Sequence, residues 1–485
     1  MGDEPKLKIV LFALNGSYVH TNLAVRCLRE PLLGSGHEVN IIERNLRDRR
    51  SAVLHDLYLE RADLYSFSVY IWNLLEMIEI AGELKKLLPG TRIVFGGPEA
   101  SYETDRFDKF GFIDYIISGE GEISLARLCS EIEEGNCPKE RIIKGIAKKT
   151  LETDGIFYDR DDLCLDGVML YYESSRGCPY RCAYCLSSAS DGIRAKSVKK
   201  TLEDLEAFEH VPHSFNIIKF VDRTFNFDVT RANAIWRALR NERFTKTYHF
   251  EICASLLNEE SFEILASLPK GKIQLEIGLQ STNEQTLSEV SRHISPDKVI
   301  ENVKRICAAG NIHVHVDLIA GLPYESFSRF GESFDALYGN CDMLQLGFLK
   351  LLPGTVLRND ADKYGYKYLS YPPYTVLESN DITYDEMHKL EDIAALLKRY
   401  YESGNFERSI SYISGSYASS FAFYRDFADY IKENDGRFIS SISQSDAYKH
   451  LYGFASTFCD GERLKAFLRE DYSSSENRRL PSFLK

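Results

Sequence analysis

The sequence lacks the features that would tie a protein to a membrane or to nucleic acid. Its 485 residues hold 59 Lys and Arg against 72 Asp and Glu, for a net charge of −13, whereas general nucleic-acid binders carry a basic surplus. No apolar stretch approaches the roughly 18 residues of a membrane helix. We expect neither a secretory signal at the charged N-terminus nor myristoylation, because Lys6 stands where that motif needs Ser or Thr. We expect a cytoplasmic protein whose 11 cysteines serve as ligands or core packing rather than as disulfides.

The pattern of hydrophobic residues predicts an α/β protein with several folded domains. A hydrophobic content of 44% excludes wholesale disorder, and the length allows two to four cores. We place an open parallel sheet of the Rossmann type in residues 1–134, a hairpin-bearing linker in 135–167, a partial (β/α)6 barrel in 168–375 and a mostly helical cap in 376–485. Aromatic residues recur in the cap at roughly helical intervals, which favours a role in its core.

Small and polar residues follow several predicted strands of the N-terminal sheet. Asn15, Gly96, Gly97 and Gly119 stand where three of these strands end. Ligands of open α/β sheets bind beyond the carboxyl ends of the strands, where glycines allow a close approach to the backbone. The pattern therefore predicts a ligand site at this edge, with ordinary turn glycines as the alternative.

Three cysteines follow the first predicted barrel strand directly. Cys178, Cys182 and Cys185 have the spacing C-x3-C-x2-C, and the flanking Cys164 and Cys253 are distant in sequence. Thiolates select iron–sulfur clusters or zinc, but structural zinc needs four closed ligands. Three thiolates on a four-iron cubane would leave one iron open to a substrate. The loop therefore predicts a catalytic 4Fe–4S centre at the barrel mouth, with zinc or simple packing as alternatives.

This loop, with an aromatic residue before its last cysteine, resembles that of the radical S-adenosylmethionine (SAM) superfamily. The resemblance covers residues 168–355 and continues in four further segments: VDRTFN, LEIGLQS, VDLIAGLP and LKLLPGT. It implies that the three cysteines ligate a 4Fe–4S cluster whose open iron takes the amino and carboxylate groups of SAM. Electron transfer would then cleave SAM to methionine and a 5′-deoxyadenosyl radical.

The same resemblance implies a set of SAM contacts. Glu276, Gln280 and Ser281 would lie near SAM, with Tyr184 beside its adenine. Leu351 would belong to the adenine shelf on the sixth strand. The protein would orient the cofactor and exclude water, while the hard chemistry belongs to the cofactor.

Polar and apolar residues alternate on three predicted barrel strands. The polar sets are His249, Glu251 and Cys253; Gln274, Glu276, Gly278 and Gln280; and His313, His315 and Asp317. Polar side chains beneath covering helices would lose their hydration, so we expect these sets to face the barrel interior. Internally satisfied core polar groups are the alternative for individual residues. The two histidines of the last set could instead bind a metal.

Residues 7–132 resemble the cobalamin-binding domain that precedes many such barrels. The resemblance rests on VYIWN, FGGPEAS and SGEGE. The Asp-x-His-x-x-Gly signature, which supplies an axial histidine to cobalt, is absent: Asn15 stands in place of its aspartate, and His20 lies five positions later. His20 is therefore a weak candidate ligand, and cobalamin without a protein ligand is compatible with the sequence. The tail resembles a C-terminal domain of unknown function.

Together these resemblances imply a cobalamin-dependent radical SAM enzyme that transfers a methyl group to an unactivated carbon. A radical rearrangement, cyclisation or oxidation without methyl transfer is the first alternative, and a non-catalytic cobalamin or redox sensor is the second. We expect an unidentified small-molecule or peptide substrate and a reductant such as a flavodoxin or ferredoxin, with no nucleic-acid partner. An RNA methylthiotransferase is disfavoured, because the extra N-terminal cluster cysteines and a basic tail are missing.

Overall fold

An open, fully parallel sheet forms the N-terminal part of the chain. The computed structural model describes residues 7–158, 167–189, 192–210, 216–437, 439–475 and 480–485. The six strands lie in the order β2-β1-β3-β4-β5-β6: β1 Lys8–Asn15, β2 Glu38–Asn45, β3 Leu64–Ser68, β4 Arg92–Gly96, β5 Tyr115–Ser118 and β6 Ile142–Lys144. The helices between them are α1 Leu23–Gly34, α2 Arg50–Glu60, α3 Leu74–Leu87 and α4 Glu122–Glu133. Separate apolar clusters cover the two faces of the sheet, as parallel strands require.

The first part of the predicted linker extends the N-terminal sheet. Strand β6 pairs with β5 in parallel, from Ile116 opposite Ile142 to Ser118 opposite Lys144. Helix α4 provides the crossover that a parallel pair needs. Residues 159–166 of the linker lie outside the described part of the chain.

A second parallel sheet curves into the partial barrel. Its six main strands lie in the order β14-β13-β12-β11-β10-β7: β7 Leu170–Tyr172, β10 Ile217–Phe220, β11 Thr247–Ile252, β12 Ile273–Gln280, β13 His313–Ala320 and β14 Met343–Phe348. The helices around them are α5 Val198–Glu209, α6 Val229–Ala238, α7 Glu259–Ala266, α8 Glu284–Glu289, α9 Pro296–Ala308 and α10 Phe327–Leu337. Two short antiparallel strands, β8 Ser175–Arg176 and β9 Arg194–Ala195, flank the cysteine loop.

The chain then crosses the barrel mouth before it enters a helical region. The crossing segment holds α11 Val356–Asn359 and an antiparallel hairpin of β15 Lys367–Tyr368 and β16 Val376–Glu378. The helices that follow are α12 Tyr384–Leu397, a π-helical turn Lys398–Glu402, α13 Glu407–Ser414, α14 Ser420–Asn434, α15 Gln444–Ala455 and α16 Gly461–Ser475. Their aromatic side chains share one apolar core with the barrel helices, which confirms the prediction that they belong to a core. None of the described helices is long and apolar enough to cross a membrane.

Candidate functional site: a cysteine loop at the barrel mouth

A buried carboxylate fixes the point where the cysteine loop leaves the barrel. Asp222, just beyond β10, has no exposed surface. It accepts hydrogen bonds from the backbone N–H of Ser174 at 2.8 Å and from the hydroxyls of Ser174 and Ser175, both at 2.6 Å. Burial raises the pKa of Asp222, while these donors and Arg231 act in the opposite direction. The serines therefore define the direction in which the loop departs.

The loop turns sharply at Gly177, immediately before its first cysteine. Gly177 has φ = 106°, and a Cβ atom there would lie 2.2 Å from the carbonyl oxygen of Gly192. Only glycine fits such a conformation and contact. The close approach joins the two ends of the loop beside the β8–β9 pair. Cys182 is buried, whereas Cys178 and Cys185 are partly exposed.

Arg292 is a site residue that sequence reasoning missed. It follows α8, and its Nη1 lies 3.7 Å from Cys182 Sγ, while its Nη2 donates to the carbonyl of Gly278 on β12. Burial raises the pKa of the Cys182 thiol, and Arg292 acts against this rise. Its guanidinium also lies over the ring of Tyr180, 5.8 Å from the ring centroid. A cation beside the thiol can stabilise a thiolate and can bind a carboxylate at the loop.

Other polar groups contact the loop. Cys178 Sγ lies 3.5 Å from Thr224 Oγ1, and the hydroxyl of Tyr180 donates to Cys253 Sγ at 3.0 Å. Cys253 is therefore buried next to the loop. Within the described residues, no three His, Cys, Asp or Glu side chains converge on one metal ion. This holds for the three loop cysteines as well as for His313 and His315, so ligation of a cluster by Cys178, Cys182 and Cys185 stays a prediction from the sequence.

The barrel strands bury their apolar faces and turn their polar faces inward. Ile273, Leu275, Ile277 and Leu279 of β12 are at most 1% exposed beneath the helices. The intervening side chains are all partly exposed. The alternation on β13 is the same along most of its length. The barrel therefore encloses a polar, solvent-accessible lumen below the cysteine loop, as the alternation predicted.

Gln280 and Ser281 mark the upper end of the fourth barrel strand. Gln280 has φ = 76°, an unusual conformation for a residue other than glycine and a frequent sign of functional strain. Its Oε1 is buried without a hydrogen-bond partner among the described residues. The Ser281 hydroxyl instead donates to the buried Glu325 carboxylate at 2.6 Å. Gln280 thus offers a free acceptor to a ligand, whereas Ser281 is engaged in holding the strand end.

Glu276 lies deeper in the lumen than the other predicted SAM contacts. It lies four positions before Gln280 on the strand, a distance of ~13 Å. Its Oε2 is 3.1 Å from Lys219 Nζ and 3.3 Å from His249 Nε2. Although burial acts to raise it, the pKa of Glu276 is held below its usual value by Lys219. The structure therefore places Glu276 in a charged layer of the lumen, and its contact with SAM stays a prediction.

The residues predicted to hold adenine lie together in one apolar cluster. Leu351 is fully buried, and Tyr184 packs against the same cluster. Tyr364 and Tyr366, from the segment that crosses the mouth, belong to it as well. The cysteine loop, the predicted shelf and this crossing segment therefore form one wall of the site.

The predicted ligand edge of the N-terminal sheet faces the barrel. Gly97, with φ = 106°, packs against Val69, whose carbonyl oxygen would lie 2.6 Å from an added Cβ. Trp72 is 47% exposed and stacks on Tyr70 at 4.4 Å between ring centroids. Asn15, in contrast, is buried and donates to the carbonyl of His20 at 2.9 Å. The edge thus offers flat aromatic surface to a ligand, while Asn15 shapes the loop beside it.

His20 contacts the barrel. Its Nδ1 lies 2.7 Å from the Tyr171 hydroxyl on β7, and its backbone pairs with Met169. Burial lowers its pKa, and nearby Lys219 lowers it further. His20 therefore connects the N-terminal sheet to the barrel, whereas its ligation of cobalt stays a prediction.

Two arginines beside the cysteine loop bind carboxylates of the N-terminal sheet. Arg176 Nη1 lies 2.7 Å from Glu120 Oε2, and its Nη2 lies 2.8 Å from Glu122 Oε1 and 2.7 Å from Glu173 Oε2. Arg194 also binds Glu120. Glu120 and Glu122 directly follow Gly119 and Gly121 in the predicted ligand edge. This ion-pair network joins the edge to the root of the loop.

Fold and loop together define a barrel protein with a three-cysteine loop at the barrel mouth, preceded by a doubly wound α/β domain. Three family models match the chain: "B12 binding domain" over residues 9–129, "Radical SAM superfamily" over 172–337, and "Protein of unknown function (DUF4080)" over 362–485. The chain therefore carries a radical SAM domain between an N-terminal B12-binding domain and a C-terminal DUF4080 region.

Named relatives share part of this architecture. A 2-(S-pantetheinyl)-carbapenam-3-carboxylate methyltransferase of Streptantibioticus cattleyicolor is 24% identical over 68% of the chain, and the chain spans 53% of that protein's length. The hopanoid C-3 methylase of Methylococcus capsulatus is 25% identical over 61% of the chain and 60% of its own length. Among solved structures, the methyltransferase TsrM of Kitasatospora setae with cobalamin and a [4Fe-4S] cluster bound gives a TM-score of 0.59 at 18% identity, covering 76% of this chain and 78% of its own. The cobalamin-dependent radical enzyme OxsB gives 0.64 at 14% identity, covering 96% and 83%.

These domains imply three cofactors, namely a 4Fe–4S cluster, SAM and cobalamin, and the residues fit them. Three cysteines, the ligand type that iron–sulfur clusters take, share one loop, and Arg292 lies beside one of them. Gln280 Oε1 has no hydrogen-bond partner among the described residues, so it can accept a hydrogen bond from a group such as a ribose hydroxyl. The exposed ring of Trp72 lies on the edge where a flat macrocycle would pack.

Proposed function

We propose that this protein is a cobalamin-dependent radical SAM methyltransferase that acts on an unactivated carbon. The observation that carries this proposal is the ion-pair network between Arg176 of the cysteine-loop root and Glu120 and Glu122 of the B12-binding domain, because this network would keep the two proposed cofactor sites side by side. When bound, the three cofactors would supply a 5′-deoxyadenosyl radical and a methyl group. The methylases among the relatives support the same outcome.

The roles of this chain's residues follow from their positions. Cys178, Cys182 and Cys185 would hold the cluster, and Arg292 beside Cys182 would bind the SAM carboxylate through its planar fork. Gln280 would accept from the ribose.

A second group of residues would surround the remaining parts of the cofactors. Tyr184 and Leu351 would enclose adenine in their shared apolar cluster. Gly96, Gly97 and Gly119 would line the cobalamin edge. Ser281 would support the strand end, and Asn15 the adjoining loop, as their hydrogen bonds indicate.

The charged layer below would receive the substrate. The lumen is lined by Lys219, His249 and Glu276. A polar substrate that fills the lumen would bind these charged groups and displace bulk water. Radical SAM chemistry needs an electron donor, and we propose a flavodoxin or ferredoxin of the cytoplasm. The chain spans about half the length of the first-named relative.

Anaerobic reconstitution tests the proposal. Wild-type protein with dithionite and SAM should hold about four irons per chain and release 5′-deoxyadenosine, whereas a triple Cys178/Cys182/Cys185→Ala variant should do neither. Cys253→Ala, which removes the neighbouring buried thiol, is the matched control and should keep its iron. SAM cleavage by the triple variant would contradict the cluster assignment.

The methyl-transfer step needs a separate readout. Turnover on extracts of cellular metabolites should yield S-adenosylhomocysteine together with 5′-deoxyadenosine, because each methylation consumes two SAM molecules. Deoxyadenosine without S-adenosylhomocysteine would instead favour a rearrangement, cyclisation or oxidation. Cobalamin binding without any SAM cleavage would favour a sensor.

A further inference from the structure

The first part of the DUF4080 region lies across the barrel mouth, outside the helical bundle that follows it. The Tyr366 hydroxyl donates to the carbonyl of Gly321, at the end of β13, at 2.9 Å. The backbone N–H of Val376 donates to the carbonyl of Leu349, beyond β14, at 2.9 Å. This segment is thus attached to the ends of two neighbouring barrel strands, on the side where the cysteine loop lies.

Tyr374 in this segment contacts both cofactor-binding parts of the molecule. Its carbonyl accepts a hydrogen bond at 3.0 Å from the backbone N–H of Leu351, the predicted adenine shelf. Its hydroxyl donates to Glu99 Oε2 at 2.9 Å and accepts from Arg106 Nη1 at 2.6 Å. Both acceptor and donor belong to the B12-binding domain. Tyr374 is therefore bonded to both sides of the proposed site at once.

The surroundings of this contact show that it is built into the fold. Tyr374 and Glu99 are each 2% exposed, and Arg106 Nη2 lies 3.0 Å from Glu99 Oε2. Tyr374 has φ = 56°, which is costly for a bulky residue and persists only where the surroundings enforce it. Glu99 follows Gly97 by two positions, so the bond reaches the loop that we assign to cobalamin.

A second contact lies beside the first. The ring of Tyr102 packs against Gly354, and Arg358 pairs with Glu103 at 3.0 Å. Arg358 also donates to the Leu351 carbonyl at 3.0 Å. The B12-binding domain therefore meets the adenine shelf along a continuous surface, and within it the bond from Tyr374 to Glu99 is the buried, charge-assisted one.

We propose that Tyr374 is a positioning residue that fixes the cobalamin loop relative to the SAM shelf, and that this is a function of the DUF4080 region. The inference rests on the proposed function, because it takes the loop after Gly97 as part of the cobalamin site. Loss of the hydroxyl leaves the buried Glu99–Arg106 pair without its third member, so the loop loses an anchor while the adenine shelf keeps its backbone bond. Cobalamin binding should therefore suffer more than SAM binding.

The experiment compares two tyrosines three positions apart in the full, cluster-loaded chain. Tyr374→Phe removes the buried hydroxyl, and Tyr371→Phe removes that of a tyrosine which is 54% exposed. With hydroxocobalamin as the probe, we expect Tyr374→Phe to raise its Kd about tenfold, which is the effect of one charge-assisted hydrogen bond. The Kd of SAM should change less than about twofold, and Tyr371→Phe should match wild type.

A spectroscopic distance separates positioning from general destabilisation. Pulsed EPR between the reduced cluster and cob(II)alamin should give a broader distance distribution in Tyr374→Phe than in wild type and in Tyr371→Phe. Glu99→Gln keeps an acceptor for the hydroxyl and should be intermediate, which provides the test if Tyr374→Phe does not fold. Wild-type affinity and an unchanged distribution in both site variants would overturn the inference. Failure of the wild-type protein to bind cobalamin would overturn the proposed function itself.

Discussion

Asp222→Asn tests whether a buried carboxylate holds the cysteine loop in place. The substitution keeps the size of the side chain and removes its charge and one acceptor oxygen. In the wild type, Oδ1 accepts the backbone N–H of Ser174, while Oδ2 accepts the hydroxyls of Ser174 and Ser175. An asparagine can keep the backbone bond through its oxygen. Its amide nitrogen then faces two hydroxyls that have lost their acceptor.

The expected magnitude follows from these bonds. Hydrogen bonds to a charged group contribute about 1.5–3 kcal/mol each, and the hydroxyls can partly recover by turning. The Ser174 hydroxyl already accepts from Arg231 Nη2 at 2.9 Å, which limits that recovery. We expect a loss of about 2–4 kcal/mol in the free energy of unfolding. For a unit of roughly 150–250 residues this lowers the Tm by about 5–15 °C.

The assay has two readouts, thermal unfolding of the apo protein and iron content after anaerobic reconstitution. Asp222→Asn should melt lower and hold less iron than wild type, because the loop root is no longer fixed. Asp362→Asn, at an exposed position, is the matched control and should stay within about 0.5 kcal/mol of wild type. If Asp222→Asn melted with the control and loaded iron fully, the carboxylate would have no role in holding the loop.

Two further predictions concern charged groups near the loop and in the lumen. Burial raises the pKa of Glu251 to about 7, so ionisation of this carboxyl should destabilise the folded state as the pH rises from about 4.5 towards 8. Denaturant unfolding should therefore show Glu251→Gln to be more stable than wild type by up to about 3 kcal/mol at pH 8 and by little at pH 5. An equal gain in stability at both pH values would refute this. Arg292→Lys keeps the positive charge beside Cys182 but loses the planar guanidinium group. We expect the Kd of SAM, measured by equilibrium binding, to rise about tenfold, while the iron content stays unchanged. An unaltered Kd would show that Arg292 does not bind the SAM carboxylate.

The sequence was most informative where a feature is local. Alternation of polar and apolar residues predicted the inward face of β12 because neighbouring side chains on a strand point to opposite sides. The three cysteines were recognisable from their spacing alone. Arg292 was not, because it lies 110 positions from Cys182 in a segment whose own pattern signals only the end of a helix. Tyr374 and Glu99 are 275 positions apart, and nothing in either segment indicates the other.

The SGEGE segment has a second role that its glycine pattern does not predict, namely ion pairing with the barrel domain. Its glycines favoured a ligand site, and the edge that they belong to does face the barrel. The glutamates between and after them bind Arg176 beside the cysteine loop instead. Glu122 is only 5% exposed, so loss of the Arg176 guanidinium in the folded protein would leave a buried carboxylate without this partner, at a cost of about 3–5 kcal/mol. The same five residues can therefore line a ligand edge and keep that edge beside the loop, which explains why charge and glycine alternate at this strand end.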